Sequence, residues 1–393
     1  MSTSPPPTPT SRSATDDERR FKTITLPCEL VEDYRPGGYH PVVLGGAFKN
    51  GRYKVIRKLG EGSYSTVWLA HDLHKNGHVA LKILVSQISE STSELRILRH
   101  IDQVAPAQGA RYIIRLLDEF EHHGPNGVHK CLVIEPMGPS VNTMAEELPQ
   151  FKPRMQGMKI RYPLPMTKRI LKQSLQALTF LHENGIAHGD FQPGNILFTL
   201  NDIDSTPEDV LRQEEGVQAR SISPPPLLPF TCSTEGFKVK LSDMGGAYFF
   251  TDPPEKLVTP LGLRAPELIL TGAIDNTIDV WSFGCLVFEL ITGQPLFCTS
   301  SLYFTPERKL FNCQLGGVPT GQEPLMLEQE SMEELFDLAG PDLDEEEANK
   351  VKALIRWILQ YDPAKRPSPA KILSDPWFCE IDVGSDPSEV SIV

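Results

Sequence analysis

The stretch His188-Gly189-Asp190-Phe191-Gln192-Pro193-Gly194-Asn195 decides how this sequence is read. It follows residues 166–184, whose apolar residues recur at helical spacing and which stop at Gly185. Asp190 can accept a proton from an attacking hydroxyl. Asn195, five residues on, can offer a carbonyl oxygen to a metal ion. An Asx-rich turn would account for the octet alone. It does not account for the elements that lie in order on either side.

Upstream stands Gly60-Glu61-Gly62-Ser63-Tyr64-Ser65-Thr66-Val67, between two segments that read as strands. Glycines let backbone N–H groups close over phosphate oxygens with no Cβ in the way, although a tight hairpin reads equally well from this octet alone. Next comes Val79-Ala80-Leu81-Lys82, an apolar strand ending in a cation. A buried ammonium needs an acidic partner or an anionic ligand, and Glu94, twelve residues on in a predicted helix, can supply the carboxylate. Read separately, both are ordinary surface charges. Downstream, Asp243-Met244-Gly245 follows the apolar Val239-Lys240-Leu241-Ser242, which places a carboxylate at a strand end, suited to Mg²⁺ held between phosphates. Ala265-Pro266-Glu267 and Asp279-Val280-Trp281-Ser282-Phe283-Gly284 complete the series.

Composition bounds the rest. The 393 residues allow two or three domains, or one two-lobed domain with tails, at roughly 100–200 residues per domain. With 40% hydrophobic and 23% charged residues the chain is globular and large enough for a substantial core. The net charge of −13 argues against direct nucleic-acid binding and suits a basic protein substrate. The seven cysteines form no CxxC pair and are odd in number, so neither a disulfide framework nor a structural zinc site is expected, and a reducing compartment is. No apolar run reaches the ~18 residues of a membrane span, and the N-terminus lacks the apolar core of a secretory signal. The expectation is a monomer in the cytoplasm, the nucleus or both.

Along the chain, residues 1–20 read as a disordered Ser/Thr/Pro-rich tail and 21–51 as an extension punctuated by Pro and Gly. Five strand-like segments and one helix, from Ser89 to Ile101, make a small lobe over 52–137. Residues 138–379 read as a larger, mainly helical lobe, with helices near 166–184, 276–292, 345–360 and 367–375. It carries a polar, Pro-rich insertion at 201–235, expected to be a mobile loop, and residues 380–393 form a tail. The fold class is α+β and bilobal.

In this order the motifs resemble those of the eukaryotic protein kinases, over residues 52 to about 378. Glu32-Asp33-Tyr34-Arg35-Pro36-Gly37-Gly38-Tyr39-His40-Pro41-Val42, Arg57-Lys58-Leu59-Gly60, Ser65 in place of a third glycine, and the insertion before Asp243 are similar to the SR-protein kinase family. Members of that family phosphorylate serines in Arg/Ser-rich proteins. The resemblance implies ATP and Mg²⁺ as cofactors. Gly60, Glu61, Gly62 and Val67 would cover ATP. Ala80 and Leu197 would sandwich adenine, with Glu135 and Met137 bonding its edge through their backbone and Ile134 as gatekeeper. Lys82, oriented by Glu94, would hold the α- and β-phosphates. Asp190 would be the catalytic base, and Asn195 and Asp243 the metal ligands. Glu267 would pair with Arg366, and Asp279 would anchor the catalytic loop.

Three departures qualify this. Gln192 stands where such kinases place a lysine, so a slowed enzyme is expected. Gly189 replaces the Arg that grips a phosphorylated activation loop, which argues against that mode of activation. Pro260 replaces the usual Thr, with Thr259 beside it. Two other functions compete: a pseudokinase scaffold that binds nucleotide without turnover, and a small-molecule kinase of the aminoglycoside or choline type. Ala265-Pro266-Glu267 and the Asp279 helix start argue against the latter, because they shape a peptide-binding lobe.

Overall fold

The structure is a computed structural model that describes residues 29–90, 92–104, 108–147, 161–213, 227–231, 236–297 and 331–381. The tail expected at 1–20 lies outside these residues, as does that at 380–393 apart from Glu380 and Ile381. Strands β1 (Ala47–Phe48), β2 (Tyr53–Gly62), β3 (Ser65–Asp72) and β4 (Gly77–Leu84) come first. Helix α1 (Ser93–Val104), β5 (Leu116–Gly124), β6 (Gly127–Ile134) and α2 (Val141–Glu147) follow. Then come α3 (Leu164–Glu183), β7 (Ile186–Ala187), β8 (Ile196–Phe198), α4 (Glu208–Leu211), β9 (Val239–Leu241) and β10 (Tyr248–Phe249). The chain continues through α5 (Pro266–Leu270), α6 (Thr277–Thr292), α7 (Met332–Ala339), α8 (Glu345–Ile358), α9 (Pro369–Leu373) and α10 (Pro376–Cys379). Among the described residues no helix is long and apolar enough to cross a membrane.

Contacts divide the chain into two compact units, Met1–Glu147 with Gly194–Ala247, and Leu148–Pro193 with Tyr248–Val393. The expected division at 138 assigned 194–247 to the large lobe. By contacts this stretch groups with the first unit, because β8 and β9 pair there: Gly138 N–H donates to the Phe198 carbonyl (2.8 Å), Phe198 N–H to Pro139 (3.0 Å) and Ile114 N–H to Leu241 (2.9 Å).

In the first unit an antiparallel sheet runs β1-β2-β3-β4-β6-β5. Five of its six strands are the expected ones. The sixth, β1, is two residues long, too short to show a period in sequence. Lys49 and Asn50 at positive φ, followed by Gly51, turn the chain so that Phe48 pairs with Tyr53. Alternation along the strands sorts the two faces. Val55, Trp68, Ala70, Leu81, Ile83, Cys131 and Val133 join one buried cluster with Phe48 and Tyr53. Ile56 and Leu69, pointing the other way, join a second cluster with Ile203, Leu211 and Leu227. Burying each such aliphatic side chain is worth about 1.5–3 kcal/mol.

Of the insertion expected as a mobile loop at 201–235, residues 214–226 and 232–235 lie outside the described residues, and the rest contributes to that second cluster. The described ends of the insertion are anchored on the sheet. Gln213 N–H donates to Ile56 O (3.2 Å) and its side-chain oxygen accepts from Lys58 N–H (3.0 Å), which occupies the free edge of β2. Lys54 pairs with Glu208 at 3.2 Å, and Leu200 bridges Thr231. Single apolar residues scattered through polar sequence show no period, yet each fills a place on the sheet.

In the second unit, α6 is buried nearly all round and α3 along most of its length. Gly284 of α6 is required by packing, since a Cβ there would lie 2.6 Å from Leu359 and 2.8 Å from Ile358. Helix α6 ends on Gly293 in the left-handed region, whose N–H caps Glu289 O. Ser331 with Glu334 forms a capping box on α7, and Asp344 caps α8.

Candidate active site

The first unit holds a cationic group of candidate residues. Lys82 lies on β4 opposite Val67 of β3, and Val67 in turn pairs with Gly60 of β2. Its Nζ donates to Glu94 Oε1 at 2.6 Å and to Asp243 Oδ1 at 2.7 Å. Helix α1 presents Glu94 on the same buried side as Leu95, Leu98 and Ile101. Burial alone would lower the Lys82 pKa, but the Glu94 and Asp243 carboxylates outweigh it and hold the ammonium above its ordinary value. Lys82 is therefore a fixed cation.

Asp243 sits in the left-handed region (φ 56°, ψ 72°), a conformation Asp tolerates better than most residues but at a cost. Asn195 immediately precedes β8 and Asp243 closely follows β9, whose register pairs Ile196 with Leu241. Ser242 fastens this end of the pair, donating to the Asn195 carbonyl through both its N–H and its Oγ at 2.8 Å. Two side chains with hard oxygen donors thus flank one end of a short antiparallel pair. The Asp243 carboxylate is about half exposed (49%). This suits Mg²⁺, which takes one or two protein oxygens and keeps water or phosphate in its other positions. Among the described residues no group of three or more His, Cys, Asp or Glu is placed to form a metal cage.

Gly60 and Gly62 are absent from the positive-φ residues. A Cβ at Gly60 would meet nothing within 4 Å, and one at Gly62 only Ser65 Oγ at 3.9 Å. The hairpin itself therefore does not demand glycine, and the open space favours the phosphate-covering reading over the purely structural one. Glu61 turns its carboxylate to Lys58, so only its backbone faces the turn. Ala80 of β4 pairs with Ile134 of β6. After Glu135 the chain runs through Met137, which is buried, to Ser140, which bridges Leu197. Sequence reasoning missed one tie here: the Glu135 carboxylate accepts from Lys240 Nζ at 2.7 and 2.8 Å and from Arg115 N–H at 2.8 Å.

The second unit holds the acid–base candidates. Asp190 follows β7, and Gln192 Nε2 donates to both of its carboxylate oxygens, at 2.9 and 2.8 Å. The amide thus straddles the carboxylate as a shared donor. Buried Asp279 accepts from the backbone N–H of His188 (2.7 Å) and Gly189 (2.9 Å), and His182 Nε2 lies 3.0 Å from its Oδ2. Burial would raise the Asp279 carboxyl, but the hydrogen bonds and electrostatic interactions with His182 and His188 bring it below the usual carboxylate range. His182 was not foreseen, although a histidine in the last turn of α3 was the available signal.

Gly189 has φ +75°, a region L side chains rarely adopt, so glycine relaxes this turn. Its carbonyl accepts from Thr259 Oγ1 at 2.7 Å, and the Thr259 carbonyl takes two bonds from Arg264. Thr259 thus links the two segments beside the Pro260 replacement. Arg366 forms the expected bidentate pair with Glu267, at 2.6 and 2.7 Å, with its guanidinium over the Trp281 ring.

The protein kinase domain family matches residues 53–378. This chain belongs to that family. The Serine/threonine-protein kinase SRPK of Physarum polycephalum is 31% identical over 90% of this chain and 92% of that protein. The Serine/threonine-protein kinase SKY1 of Saccharomyces cerevisiae is 38% identical over 45% of this chain, which spans 24% of its length. SRSF protein kinase 3 of Homo sapiens is 38% identical over 44% of this chain, which spans 30% of its length. The kinase is thus of the serine/threonine type and groups with the SR-protein kinases.

Proposed function

We propose that the kinase transfers the γ-phosphoryl group of ATP to serine hydroxyls in basic, Arg/Ser-rich protein segments, at a rate held down by Gln192. The observation that carries the reading is Lys82, buried and bonded at once to Glu94 and Asp243. Such a cation is poised for phosphate oxygens. Asn195 and Asp243 would hold Mg²⁺, which when bound neutralises charge between the β- and γ-phosphates. Asp190 orients the substrate hydroxyl and takes its proton as the new O–P bond forms and the bond to the ADP oxygen breaks. Gln192 keeps both oxygens of Asp190 in place but has no charge to lend the transferred group. The net charge of −13 supports a basic substrate. The Thr259–Gly189–Arg264 bonds support a segment fixed without phosphorylation.

The test is labelled phosphate transfer to an Arg/Ser-repeat peptide with MgATP, beside Asp243→Ala. Transfer by the wild type and none by the variant is expected. Nucleotide binding with no transfer to any basic serine peptide would instead make the chain a scaffold.

A further inference from the structure

Residues 37–40 precede the segment matched by the kinase family, yet they are tied to the chain after β4 and to the β5–β6 turn. Gln87 N–H and Ser86 N–H donate to the Gly37 and Gly38 carbonyls, at 2.9 and 3.2 Å. Gly37 N–H donates to Asn126 O (2.8 Å), and Asn126 Nδ2 returns a bond to Tyr39 O (2.6 Å). The paired glycines are structural: Gly37 has φ +86°, and a Cβ on Gly38 would lie 1.9 Å from the Asp33 carbonyl oxygen. Next in sequence, His40 packs against Phe48, His122 and His129.

From this anchored segment Tyr39 Oη reaches across to donate to the Gly62 carbonyl at 2.8 Å. Gly62 pairs with Ser65 at the tip of the β2–β3 hairpin. It has no side chain to pack, so a bond to its backbone can hold it where packing cannot. The Tyr39 ring is buried, and burial followed by the Asp33 and Glu29 carboxylates pushes its hydroxyl up to about 12, so it remains a donor at neutral pH.

We propose that Tyr39 is a positioning residue for the nucleotide. Its hydroxyl holds the Gly60–Ser65 turn in the shape that covers the phosphates, offsetting the backbone freedom that two glycines bring. The proposal rests on the reading of that turn given above, and the test separates the two. In the full chain, Tyr39→Phe keeps the ring and removes only the hydroxyl. Hydrogen exchange is followed at amides 60–65 without nucleotide, alongside KM for ATP, KM for an Arg/Ser peptide, and kcat. Losing one neutral hydrogen bond should speed exchange in the turn and raise KM for ATP by about 2- to 10-fold. Peptide KM and kcat should stay within about 2-fold, a split that general destabilisation would not give. Unchanged exchange with unchanged ATP affinity overturns the brace while leaving the kinase reading intact. Faster exchange in a chain whose wild type binds no MgATP overturns the nucleotide role itself.

Discussion

Replacing Gln192 by Lys should make the enzyme faster. In the structure Gln192 Nε2 reaches both oxygens of Asp190, at 2.9 and 2.8 Å, as a neutral amide that brings no positive charge to a phosphoryl oxygen. Lysine has three donors and a full charge, so it can keep a bond to Asp190 and direct another at the group in transfer. A hydrogen bond to a charged group is worth about 1.5–3 kcal/mol. If realised in the transition state, that is a rise in kcat of roughly 10- to 150-fold, at tenfold per 1.36 kcal/mol. The assay is steady-state transfer to an Arg/Ser-repeat peptide at saturating MgATP, with thermal midpoints measured in parallel. Gln192→Met, which removes both donors, should lie below wild type. If Gln192→Lys is folded, binds ATP normally and is no faster, the account of Gln192 as the brake is wrong.

Two further outcomes concern stability. Glu267→Ala leaves the buried Arg366 guanidinium without its bidentate carboxylate and should destabilise by about 3–5 kcal/mol in urea unfolding; a loss under about 1 kcal/mol would show the pair to be dispensable. His40 is almost fully buried, and burial followed by the neighbouring His122 and His129 lowers it from 6.5 to about 4. Above pH 6.5 neither state is protonated there. Between 6.5 and 4 the unfolded chain takes up a proton that the folded one refuses, so stability falls with pH by at most about 3 kcal/mol. The difference in unfolding free energy between wild type and His40→Leu, followed from pH 7 to 4.5, should shift accordingly; a flat difference would refute the assignment.

Much of the site was legible because its chemistry is carried by residue types at short, fixed spacings. Lys82 ends an apolar strand, Glu94 opens the next helix, and Asp190 and Asn195 share one octet. Each motif forces a local conformation, and the strand and helix periods mark the elements around it. What sequence did not reveal depends on distant partners. The direction of the Gln192 amide, the Lys240 tie to Glu135 and the Thr259 bond to Gly189 are choices made in three dimensions among many polar groups. Ile203, Leu211 and Leu227 were hidden for a related reason. A lone apolar residue in a polar stretch carries no repeat, and only the outer face of Ile56 and Leu69, which it helps to bury, gives it a destination. The two-residue β1 was too brief to register.

The anchoring of the insertion has a consequence for how this chain tolerates change. Leu200 and Thr231 close its base, Asn201 N–H reaches Phe230 O at 2.8 Å, and Gln213 is stitched to the edge of β2. The described feet of the excursion are thereby both pinned to the sheet. Each doubling of such a span adds only about 0.6 kcal/mol of closure entropy. A change in the length of chain joining two such pinned feet therefore costs the fold little.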